Sequence, residues 1–159
     1  KLYVSEQPIS QQEWVFFYRG DQPFDWNTLD DLAGKRVGLT SSYTYSGFFD
    51  ELKKSGSVQF EEAGSDEANF RKLLNGRLDV FPLERSVGYA ILEKDFTVTE
   101  REQIDAHPRS FDRFEPHVFL SKAVAGNAER MQQFDQGFKQ LVASGRYEAI
   151  MAVCQPIAP

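Results

Sequence analysis

Lys35-Arg-Val-Gly-Leu-Thr40, running directly into Ser41-Ser-Tyr-Thr-Tyr-Ser46, is the stretch on which the fold turns. A short apolar run gives way to small hydroxyl residues, and Phe48, Phe49 and Leu52 then recur at helical spacing before Gly56. This pattern predicts a strand, a turn and a helix over 43–54. Upstream, Trp14-Val-Phe-Phe-Tyr18 reads as a buried strand, and Asp25 to Asp31 offers capping residues for a short helix ending at Gly34. Downstream, a strand is expected at 58–61. Ser65 with Asp66 and Glu67 opens a helix carrying Phe70, Leu73 and Leu74 on one face, and Asn75-Gly76 stops it. Leu78 to Phe81 reads as a strand and Glu84 to Lys94 as a helix. Alternation of this kind predicts a parallel or mixed α/β sheet.

After residue 95 the pattern changes. Strands are expected around Gln103–Ala106 and Pro116–Leu120, followed by two helices, 127–143 and 146–153, with no strand between them. No internal repeat or long linker interrupts the 159 residues.

Composition narrows the function classes. The net charge of −6 argues against nucleic acid or an anionic membrane as partner, because both require a basic surface. No nucleophile motif, metal-ligand spacing or glycine-rich phosphate loop is present, and neither a metal nor a cofactor is expected. His107 and His117 sit in different contexts and read as surface or core residues. The single cysteine, Cys154, is either a buried apolar residue or half of a disulfide with a partner outside this sequence. One feature carries a mechanism: a helix opening just after 41–46 would aim unpaired N–H groups at a carboxylate or phosphate. A plain Ser or Thr N-cap is the alternative.

Asp31-Leu-Ala-Gly-Lys-Arg-Val-Gly38 with its hydroxyl-rich turn, Leu74-Asn-Gly-Arg-Leu-Asp-Val-Phe81 with an acid shortly after, and Ser144-Gly-Arg-Tyr-Glu-Ala-Ile150 near the end occur in one order. Together they resemble the family 3 bacterial solute-binding proteins, which include receptors for histidine, glutamine and basic amino acids. The resemblance implies a type II periplasmic-binding-protein fold of class α/β. In it, residues 14–115 would form a complete second lobe, 1–13 a hinge-proximal segment of the first lobe, and 116–159 the return hinge strand and C-terminal helices of that lobe. The opening half of the first lobe has no counterpart here.

The resemblance also implies a function: a periplasmic, non-enzymatic receptor that takes a small-molecule ligand, an amino acid or related zwitterion, for delivery to an ABC permease. A ligand-sensing domain of a signalling receptor, and a cyclohexadienyl-dehydratase-like enzyme, are the alternatives on the same fold. Position by position, Ser42, Tyr43 and Thr44 take the place of the Gly-Thr-Thr turn that holds a ligand carboxylate. Glu84 takes the place of the acid that meets the ligand ammonium, which is usually Asp. The tyrosine and the missing glycine are departures from the family pattern.

Overall fold

The computed structural model describes residues 1–45, 47 and 49–154, the side chains of Val153 and Cys154 excepted; the pairing of Cys154 lies outside the described residues. The chain divides into two compact units. Among the described residues, one comprises Lys1–Gln12 and 113–154, the other Glu13–Asp112.

The Glu13–Asp112 unit is built around β2 (Gln12–Arg19). Alternate side chains of β2 leave opposite faces, and each face has its own core. Val15 and Phe17 join Phe70, Leu73, Leu78, Phe81, Leu83 and Leu92, whereas Phe16 joins Trp26, Leu32, Val37, Leu39 and Phe49. β5 (Phe81–Glu84) and β6 (Ile104–Ala106) flank β2 on either side, both antiparallel, with Trp14 opposite Glu84 and Phe17 opposite Ala106. β7 (Asp112–Phe114) also pairs with β2. β3 (Arg36–Thr40) and β4 (Gln59–Ala63) form a parallel pair, and a single parallel bridge, Val37 to Val80, ties β3 to the chain entering β5. The sheet is therefore mixed, as the alternation of elements predicts.

Helices cover both faces of this unit. α2 (Asp66–Leu74) starts at Ser65, whose side chain accepts from the Ala68 amide, and ends where Gly76 takes φ 66°. α3 (Arg85–Asp95) follows β5 without a loop, and α4 (Val98–Arg101) is closed by a reciprocal capping box between Thr97 and Glu100. Gly88 in α3 is required by packing: a Cβ there would lie 2.2 Å from Cζ of Phe17.

Three expectations need correction. The helix expected over 43–54 is only α1 (Asp50–Ser55), because Tyr43 and Tyr45 are held in ring contacts with Trp14 and Tyr45 accepts the Thr40 amide through its hydroxyl. The strand expected at 78–81 lies later, at Phe81–Glu84, where the antiparallel register with β2 outweighs the one-residue bridge at Val80. The strand β1 (Leu2–Val4) was not expected, nor was β7.

In the other unit, β1 pairs antiparallel with β8 (Phe119–Ser121), Tyr3 opposite Leu120. His117 Nδ1 lies 2.9 Å from the Ser5 carbonyl oxygen, and the Val118 amide donates to Ser5 Oγ. α5 (Asn127–Ala143) and α6 (Arg146–Cys154) follow, joined through Gly145 at φ 71°. Among the described residues no helix is long and apolar enough to cross a membrane.

Candidate functional site

Because β3 and β4 are parallel and Val37 bridges Val80 in the same sense, the carboxyl ends of β3, β4 and β5 share one edge of the unit. In open α/β sheets this is the edge where ligands bind. Three turns leave it: 40–45 after β3, 63–66 into α2, and 84–86 into α3.

The first turn carries Ser42, Tyr43 and Thr44, all exposed. No helix opens within it: the Tyr43 amide bonds back to the Thr40 carbonyl, and α1, only six residues long, begins at Asp50. The expected array of helix N–H groups aimed at a carboxylate is therefore not formed here. Tyr43 instead donates through its hydroxyl to Asp66 Oδ2 at 2.7 Å, while Thr40 Oγ1 donates to Asp66 Oδ1 at 2.6 Å and receives Asn69 Nδ2 at 3.0 Å. Burial, then the hydrogen bond to Asp66 and its charge, pushes the Tyr43 phenol up to about 12. It remains a hydrogen-bond donor throughout the neutral range.

Glu84 is buried, and its Oε2 accepts the Val87 amide at 2.8 Å and the Ser86 hydroxyl at 2.5 Å. It thus caps α3, the local role that competes with ligand binding. It also stands opposite Trp14 in the β2–β5 register. Residues directly opposite in an antiparallel pair project to the same face. The half-buried Trp14 ring meets Tyr43, Tyr45 and Phe111 in edge-to-face geometry at 6.2, 6.0 and 6.5 Å between centroids. Trp14 therefore links the two expected parts of the site, the 42–44 turn and Glu84.

Sequence reasoning missed Trp14, Tyr45 and Asp66 as site residues. Asp66 read only as a helix first-turn acid and Trp14 only as a strand residue. The β2–β5 register sets Trp14 beside Glu84, while ring contacts bring Tyr45, and the Tyr43 hydroxyl brings Asp66, to the same place; no local pattern carries any of these.

Neither histidine belongs to this edge. His107 is buried, its Nδ1 accepts the Arg109 amide at 3.1 Å, and its Nε2 is left to donate to Asp25 at 3.2 Å. Among the described residues no group of His, Cys, Asp or Glu is placed to hold a metal. A cavity of about 600 Å³ lies in the other unit, walled by Phe138, Val142, Tyr147 and Met151. The Tyr147 hydroxyl is already spent on the Ile9 carbonyl. Gln7, Ser10, Gln11 and Glu148 also line that cavity, but it does not lie at the carboxyl ends of parallel strands, the edge where ligands bind in open α/β sheets.

No family model matches the chain. No curated protein matches it either. Solved structures do. An ancestral arginine-binding protein bound to arginine superposes at TM-score 0.67 with 19% identity, over 94% of this chain and 62% of that one. A histidine kinase sensor domain with similarity to periplasmic binding proteins gives 0.68 with 21% identity, over 95% and 61%. The GluR0 ligand-binding core in complex with L-glutamate gives 0.71 with 10% identity, over 97% and 64%. The chain has the α/β type II periplasmic-binding-protein fold, and it spans about three-fifths of the length of the structures it matches. Its structural neighbours are binding proteins and a sensor domain.

Proposed function

We propose that this chain is the ligand-holding part of a periplasmic receptor for a small polar solute of the amino-acid type, which captures the solute without transforming it and delivers it to an ABC permease. The solute sits at the carboxyl ends of β3, β4 and β5, lined by Ser42, Tyr43, Thr44 and Glu84 around Trp14. The observation that carries this reading is the convergence on one edge of a half-buried tryptophan, a carboxylate opposite it, and a tyrosine locked to a second carboxylate. Further support comes from matched folds that hold arginine and L-glutamate.

Thermal unfolding of the full-length protein against the twenty amino acids tests it, since a ligand that binds only the native state raises the melting temperature. A saturable rise with one chemically related group is the expected result. A flat response to all of them removes the reading.

One second reading has an observation in its favour: the match to a histidine kinase sensor domain. In that reading the same site serves signalling in place of uptake. Pull-down from solubilised membranes with the solute bound separates the two, recovering a permease in one case and a kinase in the other.

A further inference from the structure

Resting on the receptor reading above, we infer that Asp66 is a positioning residue of the solute site: with Thr40 and Asn69 behind it, it sets Tyr43 against Trp14 at the strand-end edge without itself meeting the solute. Asp66 is 9% exposed, and Thr40 and Asn69 are 3% and 0% exposed, whereas Tyr43 is 38% exposed. A solute at this edge therefore reaches Tyr43 and not the groups that hold it.

The direction of each bond in this chain is fixed by chemistry. A carboxylate only accepts, and a hydroxyl has one proton to give. Asp66 Oδ1 takes the Thr40 proton at 2.6 Å, and Oδ2 takes the Tyr43 proton at 2.7 Å. Its own proton given away, Thr40 Oγ1 is left to accept, and Asn69 Nδ2 donates to it at 3.0 Å. The two oxygens of Asp66 thus tie the head of the 40–45 turn to its middle. The backbone of Thr40 is held as well: its amide donates to the Tyr45 hydroxyl and its carbonyl accepts the Tyr43 amide, both at 3.0 Å. Ser41 anchors the turn to the segment that opens α2, its amide and hydroxyl both donating to the Ala63 carbonyl. Swinging the Tyr43 ring away from Trp14, which it meets edge to face at 6.2 Å, breaks its bond to Asp66.

Packing alone does not account for Asn69. It sits on α2 beside Phe70, fully buried, and its Oδ1 has no hydrogen-bond partner among the described residues. An apolar residue would fill the place without that cost. Room is even made for the amide, since a Cβ on Gly38 would stand 2.9 Å from Oδ1. What the amide contributes, and a leucine could not, is the N–H that leaves the Thr40 proton pointing to Asp66. Buried chains of this kind rigidify and specify one arrangement, and here the arrangement is that of an exposed tyrosine at the candidate site.

The test uses the full-length protein with the twenty amino acids as probes, titrated calorimetrically. Asp66→Asn and Thr40→Val are each expected to weaken those that bind the wild type by about tenfold. Thr40→Ser, which keeps the hydroxyl, is expected to recover most of what Thr40→Val loses. In a Tyr43→Phe background, Asp66→Asn is expected to cost less than about twofold, because a residue that acts through Tyr43 has nothing left to act on. A second readout needs no solute. The Tyr43 phenolate absorbance, isolated after a rapid pH jump by subtracting the Tyr43→Phe partner of each protein, is expected to titrate at about 12 in the wild type and lower in Asp66→Asn, where burial remains but the hydrogen bond and charge of Asp66 are gone. Unchanged affinity in Asp66→Asn, a loss that persists in full without the Tyr43 hydroxyl, or a Tyr43 phenol that ionises at the same pH in Asp66→Asn overturns the assignment while the receptor reading stands. If Asp66→Asn does not fold, the two Thr40 variants, alone and in the Tyr43→Phe background, decide in its place. Silence of all twenty amino acids toward the wild type removes the receptor reading and this inference with it.

Discussion

The Glu13–Asp112 unit and the unit formed by the two chain ends bury their apolar residues very differently. In the first, ten buried hydrophobic residues pack on each side of β2, and Phe17, Phe70 and Phe81 meet edge to face at 5.2 Å. In the second, Leu2, Val4, Phe114, Phe119, Val124 and Ile150 are all about half exposed, and α5 buries only Asn127 and Met131. Composition is similar in the two; it is the supply of covering elements that differs. The teaching is that the same side-chain deletion has a different cost in each, because a cavity penalty arises only where neighbours surround the removed atoms.

The sharpest way to break this comparison is to delete one phenyl ring in each unit. Phe70→Ala, at a site with no exposed surface among Phe17, Phe81 and Phe96, is expected to cost about 3–5 kcal/mol in urea unfolding. Phe119→Ala, at a ring 56% exposed, is expected to stay within about 0.5 kcal/mol. Comparable costs would mean that the second unit has a core of its own.

Glycine replacement sharpens the same contrast with a sign change. Gly88→Ala places a Cβ against Phe17, and overpacking of about 1–3 kcal/mol outweighs the gain in helix propensity. Gly137→Ala in α5 meets nothing within 4 Å and is expected to stabilise by about 0.5–1 kcal/mol. Differential scanning of the two variants reads both signs at once.

A smaller effect belongs to the amino end of β3. Burial alone would raise the Asp79 carboxyl, but two hydrogen bonds from the Arg36 guanidinium and one from the Arg36 amide outweigh it and hold its pKa below the usual carboxylate value. A depressed folded-state pKa contributes stability that is present above the unfolded value and is lost as pH falls through the folded one. Melting temperature should therefore decline below about pH 4, by the equivalent of about 1 kcal/mol from this pair. Asp79→Asn should flatten that part of the profile. An identical acid limb in the variant would assign the decline to other carboxylates.

The sequence was most legible where the deciding interactions are local. α2 could be read from Ser65, its acids and the Phe70–Leu73 face, since cap, dipole and periodicity all act within nine residues. β1 and β7, three residues each, carry too little periodicity to be seen. The missing first turns of α1 were illegible for a different reason. Phe49 and Leu52 do have helical spacing, but Tyr43 and Tyr45 are recruited by Trp14, about thirty residues earlier in the chain, and no window around the helix contains that competitor. Glu84 was found as an acid after a strand. Its meaning as the residue opposite Trp14 depends on pairing between segments seventy residues apart.

The two tryptophans differ in a way that has a spectroscopic consequence. Trp26 is 6% exposed, and its Nε1 is buried with no hydrogen-bond partner among the described residues. The Arg109 guanidinium lies 5.2 Å from the ring centroid, but water is almost excluded from the indole, so its emission should lie toward the blue of an exposed tryptophan and shift when the core opens. Trp14 is half-buried, ringed by tyrosine and phenylalanine, with a carboxylate opposite. Its emission should lie further to the red and respond to an external quencher. A fluorescence spectrum of this protein is thus two overlaid signals, one from the interior and one from the strand-end edge. Iodide, an anion, should quench the second less than neutral acrylamide does, because the acids there repel it.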